Sequence, residues 1–146
     1  MRIFYLFDVN EHFYDMYKGY PYKLYKLFED IYLTSRYNLD FANRMYSQIT
    51  YKYNKSFTNN FIKNSKRIDP FYSFKNNLHV LNGKYDHCTL CVYKYYIRIN
   101  SNFNYTGFFN DLISYSKNIF VCDFDNLDYF WLESVTVDKM DKIGIK

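Results

Sequence analysis

Between Leu39 and Tyr53, the side chains Ala42, Met45, Tyr46, Ile49 and Tyr53 recur at helical steps. This is the pattern of a helix that buries one stripe. At about 100° per residue they fall within roughly a third of the circumference. A helix of this kind is not stable alone, so the chain must supply a second layer to cover the stripe. Arg44, Gln48 and Tyr51 fall on the opposite side. A Tyr beside a Gln and an Arg is a candidate contact surface. It is equally a solvated face with one stray aromatic, and for an isolated helix that second reading is favoured, because scattered surface aromatics are ordinary.

The segments before this helix supply part of the layer. Arg2 to Val9 is a short β-rich run with apolar residues on both faces, which predicts a central strand. Asn10 can cap a short helix running to about Lys18, with Glu11 well placed near its positive end and Gly19 as a stop. On that helix Phe13, Met16, Tyr17 and Tyr20 share one side, which either packs inward or stays open to a partner. Pro21 can open a further helix to Leu33, with Leu24, Leu27, Phe28 and Ile31 as its core stripe. Asn38 is a plausible cap for the helix that follows. Three helices in so short a span should form a compact antiparallel layer.

The second half changes character. Asn77 to Leu81 predicts a strand ended by the turn dipeptide Asn82-Gly83. Cys88 to Asn100 is the strongest β signal, long enough for two strands with a turn near Lys94-Tyr95. Thr106 to Ser116 predicts a helix burying Phe108, Leu112 and Tyr115. Asn118 to Phe124 and Tyr129 to Val135 predict two more strands. The expected fold is a single α+β domain over 1–135: an N-terminal strand and a helical layer, followed by a mostly antiparallel sheet with one further helix. Residues 136–146 are expected to fray.

Composition narrows the function. Hydrophobic residues make up 49% of the 146 and aromatics 24%, too rich for disorder and enough for a real core. No apolar run approaches the roughly 18 residues that cross a bilayer, and the N-terminus has no secretory pattern. The three Cys make no disulfide framework, which fits a reducing, cytoplasmic setting. With only four Gly, a backbone cradle for phosphates is improbable.

Catalytic and metal chemistry find little support. His87 precedes a CxxC pair, Cys88 and Cys91, and His79 and Cys122 complete the possible ligand types. In a strand, however, residues three apart point to opposite faces, so the two thiolates would not converge. No Ser or Cys elbow accompanies the three His. Asp123, Asp125 and Asp128 read better as turn residues than as a cation site. No catalytic residue, metal, cofactor or small-molecule substrate is expected. The polar stretch Asn54 to Asp69 concentrates Lys55, Lys63, Lys66 and Arg67. Its plain reading is a solvated helix and linker. Its sharper one is a nucleic-acid module that uses 55–67 for phosphates and aromatics for stacking. The net charge of +4 does not favour the sharper reading.

One set of residues is more specific. Phe4-Tyr5-Leu6, Phe13, Tyr17 and Gly19 are followed by Leu27-Phe28-x-Asp30, Thr34-Ser35 and Gln48-Ile49-x-Tyr51. Near the end come Asp123-Phe124 and Tyr129-x-Trp131-Leu132. No single motif is distinctive, but their order and spacing resemble the SirA family, the sporulation inhibitor of replication proteins, over all but Lys52 to Asn76. The resemblance implies a non-enzymatic inhibitor that binds the N-terminal domain of the replication initiator DnaA, with no direct nucleic-acid or membrane partner. Carried over by position, it places the contact at Phe13, Tyr17, Gln48 and Tyr51. Arg44 is added from the outward face of the helix.

Overall fold

The computed structural model describes residues 1–134; the segment expected to fray, 136–146, and Val135 lie outside them. Strand β1 (Arg2–Asp8) is followed by helices α1 (Glu11–Tyr17), α2 (Pro21–Thr34), α3 (Leu39–Ile49) and α4 (Lys55–Ser65). Then come β2 (Tyr72–Lys75), β3 (Leu78–Asn82), β4 (His87–Val92), β5 (Ile97–Ser101), α5 (Phe108–Ile113), β6 (Ile119–Asp123) and β7 (Asp128–Trp131). The strands form one seven-stranded sheet in the order β2-β3-β4-β5-β1-β6-β7. Every pairing is antiparallel. The fold is α+β, and β1 is an interior strand, as its two apolar faces predict.

Because side chains alternate along a strand, each interior strand serves two cores. Phe4 and Leu6 of β1 join Leu90, Ile97, Ile99 and Val121 in a cluster that takes in Ile62 of α4 and Phe108, Phe109 and Leu112 of α5. Phe7 and Val9 point the other way, with Phe120 and Cys122, into a second cluster beneath α2 and α3. The sheet is therefore the middle layer, with α1–α3 on one side and α4 and α5 on the other. The expected order holds, with α5 as the one further helix among the later strands, and α4 joins it on that side of the sheet. Asn54 to Asp69 is mostly α4, capped by the Asn54 side chain, which accepts from Phe57 N–H at 2.9 Å. It buries Thr58, Asn59 and Ile62. Of the residues that could dock such a helix, Phe57, Phe61 and Ile62, the structure buries Ile62 and half-buries Phe61 but leaves Phe57 62% exposed, because the inward face turns to the polar Thr58 and Asn59.

Three other boundaries moved for identifiable reasons. The strand predicted from Asn77 begins at Leu78, because Asn76 and Asn77, at φ 54° and 63°, make the tight turn from β2. Two successive positive φ values suit the right-handed twist of a two-residue hairpin. The α2 core face is Leu24, Tyr25, Phe28 and Ile31; Leu27 is only half-buried. Helix α3 stops at Ile49, four residues short of the predicted end. Thr50 pairs with Val9 in a β-bridge, which pulls the chain out of the helix. Tyr53 is buried, but in the other cluster: its hydroxyl donates to the Leu6 carbonyl at 3.2 Å. Of the predicted stripe, Ala42, Tyr46 and Ile49 are fully covered and Met45 half so.

Candidate contact face on helices α1 and α3

The candidate residues sit where the end of α3 is stitched to the start of α1. Asn10 does most of the joining. Its Oδ1 accepts from Phe13 N–H at 3.0 Å, capping α1 as predicted. Its Nδ2 donates to the Gln48 carbonyl at 2.8 Å, and its backbone N–H donates to the Ile49 carbonyl at 2.8 Å. The next turn of chain is held by the Tyr51 N–H, which donates to the Asp8 carbonyl at 2.8 Å. The Tyr51 hydroxyl then accepts from the Glu11 N–H at 3.3 Å. One asparagine and one tyrosine thus satisfy two of the N–H groups that the first turn of a helix leaves without partners.

This arrangement corrects the reason for placing Tyr51 outward. It lies beyond α3, in an extended segment, so helical counting does not govern it. It is nevertheless 48% exposed, with its ring lying by the α1 N-terminus. Gln48 and Arg44 are exposed on α3. The stitching brings Gln48 and Tyr51 together with α1. On α1, Phe13 and Tyr17 are one turn apart and their rings lie parallel, 6.1 Å between centroids and 2° between planes. Both are half-buried and lean on the second core cluster. Of their predicted companions, Met16 and Tyr20 are 49% and 59% exposed. Arg44 lies one turn back along α3, with its guanidinium 5.8 Å from the Phe41 ring centroid.

Two neighbours of these candidates had no outward role in the sequence reading. Phe41, 44% exposed, had no assigned role, and Met45 was assigned wholly to the core. At about 100° per residue, Phe41, Arg44, Met45 and Gln48 occupy one arc of α3. Phe41 and Met45 border a groove of about 210 Å³ against Leu27 and Ile31 of α2. The signal was the i, i+4, i+7 spacing of Phe41, Met45 and Gln48, masked by the stronger stripe beside it.

The pattern of motifs along the chain now has a counterpart. The family model described as sporulation inhibitor of replication protein SirA matches residues 2–136. The chain belongs to this family. A comparison with curated proteins finds no match. The SirA name describes an inhibitor of replication, a regulatory role rather than an enzymatic one.

The other candidate chemistries resolve into structural roles. Cys88 is buried and Cys91 half-buried on the opposite face of β4. Burial pushes the Cys88 thiol up to about 12, against a partly offsetting hydrogen bond with Thr106. Cys122 is buried in the other cluster. Among the described residues, no three His, Cys, Asp or Glu side chains stand together in a way that could hold a metal ion. Asp123 and Asp128 receive Arg2, from Nε at 2.8 Å and a terminal nitrogen at 2.6 Å, a clasp joining β1, β6 and β7. In the basic stretch, Lys66 pairs with Asp111 of α5 at 2.9 Å, and Lys63 lies over the Phe74 ring at 4.7 Å. No described helix is long and apolar enough to cross a membrane.

Proposed function

We propose that this protein restrains replication initiation by binding the N-terminal domain of the initiator DnaA through the joined face of α1 and α3. The observation that carries the reading is the Asn10–Gln48–Tyr51 stitching. It holds Gln48 and Tyr51 against the start of α1, the helix that carries Phe13 and Tyr17, and these are the four positions implied by family resemblance. The chemistry suits a protein partner. Exposed or half-exposed aromatic rings give apolar contact area, and Gln48 and Arg44 give a polar border. Together they form an anchor-and-rim arrangement of the kind that concentrates binding energy. Nothing in this face is arranged for bond-making, so occupancy is the mechanism: whatever the DnaA domain assembles through the covered surface is excluded.

The test is a titration of the purified DnaA N-terminal domain against wild type and Tyr51→Ala. Truncating an anchored Tyr costs about 2 kcal/mol, about thirtyfold in affinity. A folded Tyr51→Ala protein that binds like wild type sinks the assignment. A salt series on the same complex separates this reading from phosphate recognition, in which affinity collapses as salt rises.

A further inference from the structure

The sheet is covered unevenly. On the α4–α5 side its core runs from β3 to β6. On the other side, the cluster beneath α1–α3 takes side chains from β1, β6 and β7 and from the β4–β5 turn, and none from β2, β3, β4 or β5. The register sets what this open half presents. Leu78 stands opposite Cys91, Cys91 opposite Arg98, and Thr89 opposite Asn100. Residues directly opposite in an antiparallel pair share a face, so these five side chains tile one surface, with a hollow of about 120 Å³ between them. An adjoining hollow of about 280 Å³ shares Thr89 and Asn100 and extends past Val80 to His87.

Beneath this surface, Arg98 Nε and Asn100 Oδ1 are covered from solvent and have no hydrogen-bond partner among the described residues. The Arg98 guanidinium meets the Tyr93 hydroxyl, but among the described residues it has no carboxylate within ion-pair distance. The register residues of this face include no Asp or Glu, while Lys75 and Arg98 give it positive charge. Leu78 and Cys91 line the same hollow as Arg98.

We propose that this open half-sheet is a second binding surface, separate from the α1–α3 face, and that it takes a protein segment carrying a carboxylate between apolar side chains. The carboxylate pairs with Arg98 in a charge-assisted, fork-shaped contact. Its apolar neighbours fill the hollow beside Leu78. A nucleic-acid strand fits less well: one recessed guanidinium among apolar groups, with Tyr93 the sole aromatic lining the hollow, is neither a phosphate track nor a stacking platform.

The probe is a random peptide display library selected on the wild-type protein. The enriched peptides are then synthesised and titrated against wild type, Arg98→Met, Leu78→Glu and Tyr51→Ala. The expected sequences carry Asp or Glu flanked by apolar residues. Their affinity falls at least about tenfold in Arg98→Met and in Leu78→Glu and is unchanged in Tyr51→Ala, whatever becomes of the DnaA reading. Leu78 is 37% exposed, so its variant folds and decides the outcome even if Arg98→Met does not. The proposal is overturned if nothing is enriched, if enriched peptides lack a carboxylate, or if a folded Arg98→Met or Leu78→Glu protein binds them like wild type. It is overturned in favour of other occupants if a labelled single-stranded oligonucleotide shows the same dependence on Arg98, or if self-association in sedimentation is what Leu78→Glu abolishes.

Discussion

His79 shows how a residue that looks chemical can be wholly structural. It is fully buried on β3, where Nδ1 lies 2.7 Å from the Tyr72 hydroxyl and Nε2 lies 2.8 Å from Asn59 Oδ1. The carboxamide oxygen can only accept, so Nε2 carries the proton and Nδ1 accepts from Tyr72; the neutral ring is fully satisfied. Burial, with a smaller contribution from the charge of Lys63, lowers its pKa from the ordinary 6.5 to about 4. The unfolded chain therefore binds a proton that the folded one refuses, and stability falls as pH drops from about 6.5 toward 4, by about 3 kcal/mol at most. Buried Asp8 and half-buried Asp111, whose pKa values are raised by desolvation, act in the opposite sense in the carboxylate range, because there folding favours their protonation. The clean measurement is thus a difference: urea unfolding of wild type and His79→Gln across this window. The wild-type curve should lose stability more steeply than the variant; parallel curves would mean that His79 is not held neutral. Tyr51 makes a second residue-scale case. Its hydroxyl contact with Glu11 N–H means that Tyr51→Phe should cost about 1 kcal/mol of stability while retaining most of the binding surface. Tyr51→Ala should lose both, and melting curves beside DnaA-domain titrations separate the two.

At the scale of elements, the proposed contact face depends on how two helices are joined, and Asn10 is the joint. Asn10→Ala removes the α1 cap and the tether to the Gln48 carbonyl together, so it should cost about 1–2 kcal/mol in chemical denaturation. It should also weaken DnaA-domain binding although Asn10 itself need not touch the partner; unchanged affinity in a destabilised protein would show that the face does not require the stitching. This joint also marks the limit of what the sequence disclosed. The helices α1 to α3, their caps at Asn10 and Asn38 and the burial of Ala42, Tyr46 and Ile49 were legible, because caps and stripes are local signals. The turn between β4 and β5 was legible for the same reason. The end of α3 was not, because a long-range bridge between Val9 and Thr50 overrides a periodicity that continues to Tyr53. Tyr51 was therefore placed outward correctly but for the wrong reason. The docking of α4 was legible through Phe61 and Ile62 but not through Thr58 and Asn59, and strand β2 was missed, since these inward residues are polar or aromatic and make sense only once His79, Asn59 and Tyr72 are seen together.

At the scale of the whole molecule, the shared sheet makes two cores behave as one. Phe28 is fully buried in the cluster under α2 and α3, with its ring stacked on Phe7 at 4.0 Å and 10°. Phe109 is fully buried in the other cluster, edge-on to Phe4 at 5.2 Å. Phe4 and Phe7 belong to the same strand, β1, which pairs with β5 on one side and β6 on the other. Neither cluster can come apart without disturbing the strand that the other needs. Phe28→Ala and Phe109→Ala should each cost about 3–5 kcal/mol, a large part of the stability of a domain this size. In both variants, loss of helical signal and loss of aromatic near-ultraviolet signal should coincide in a single transition. If Phe28→Ala instead melted the helical layer while the β3–β5 part of the sheet kept its hydrogen-exchange protection, the two cores would be separate cooperative units. The contact face would then ride on the weaker one. Under the single-unit outcome, Phe28→Ala protein held below its transition should bind the DnaA domain with wild-type affinity, because Phe28 lies on the inward side of α2, away from the proposed contact face on α1 and α3.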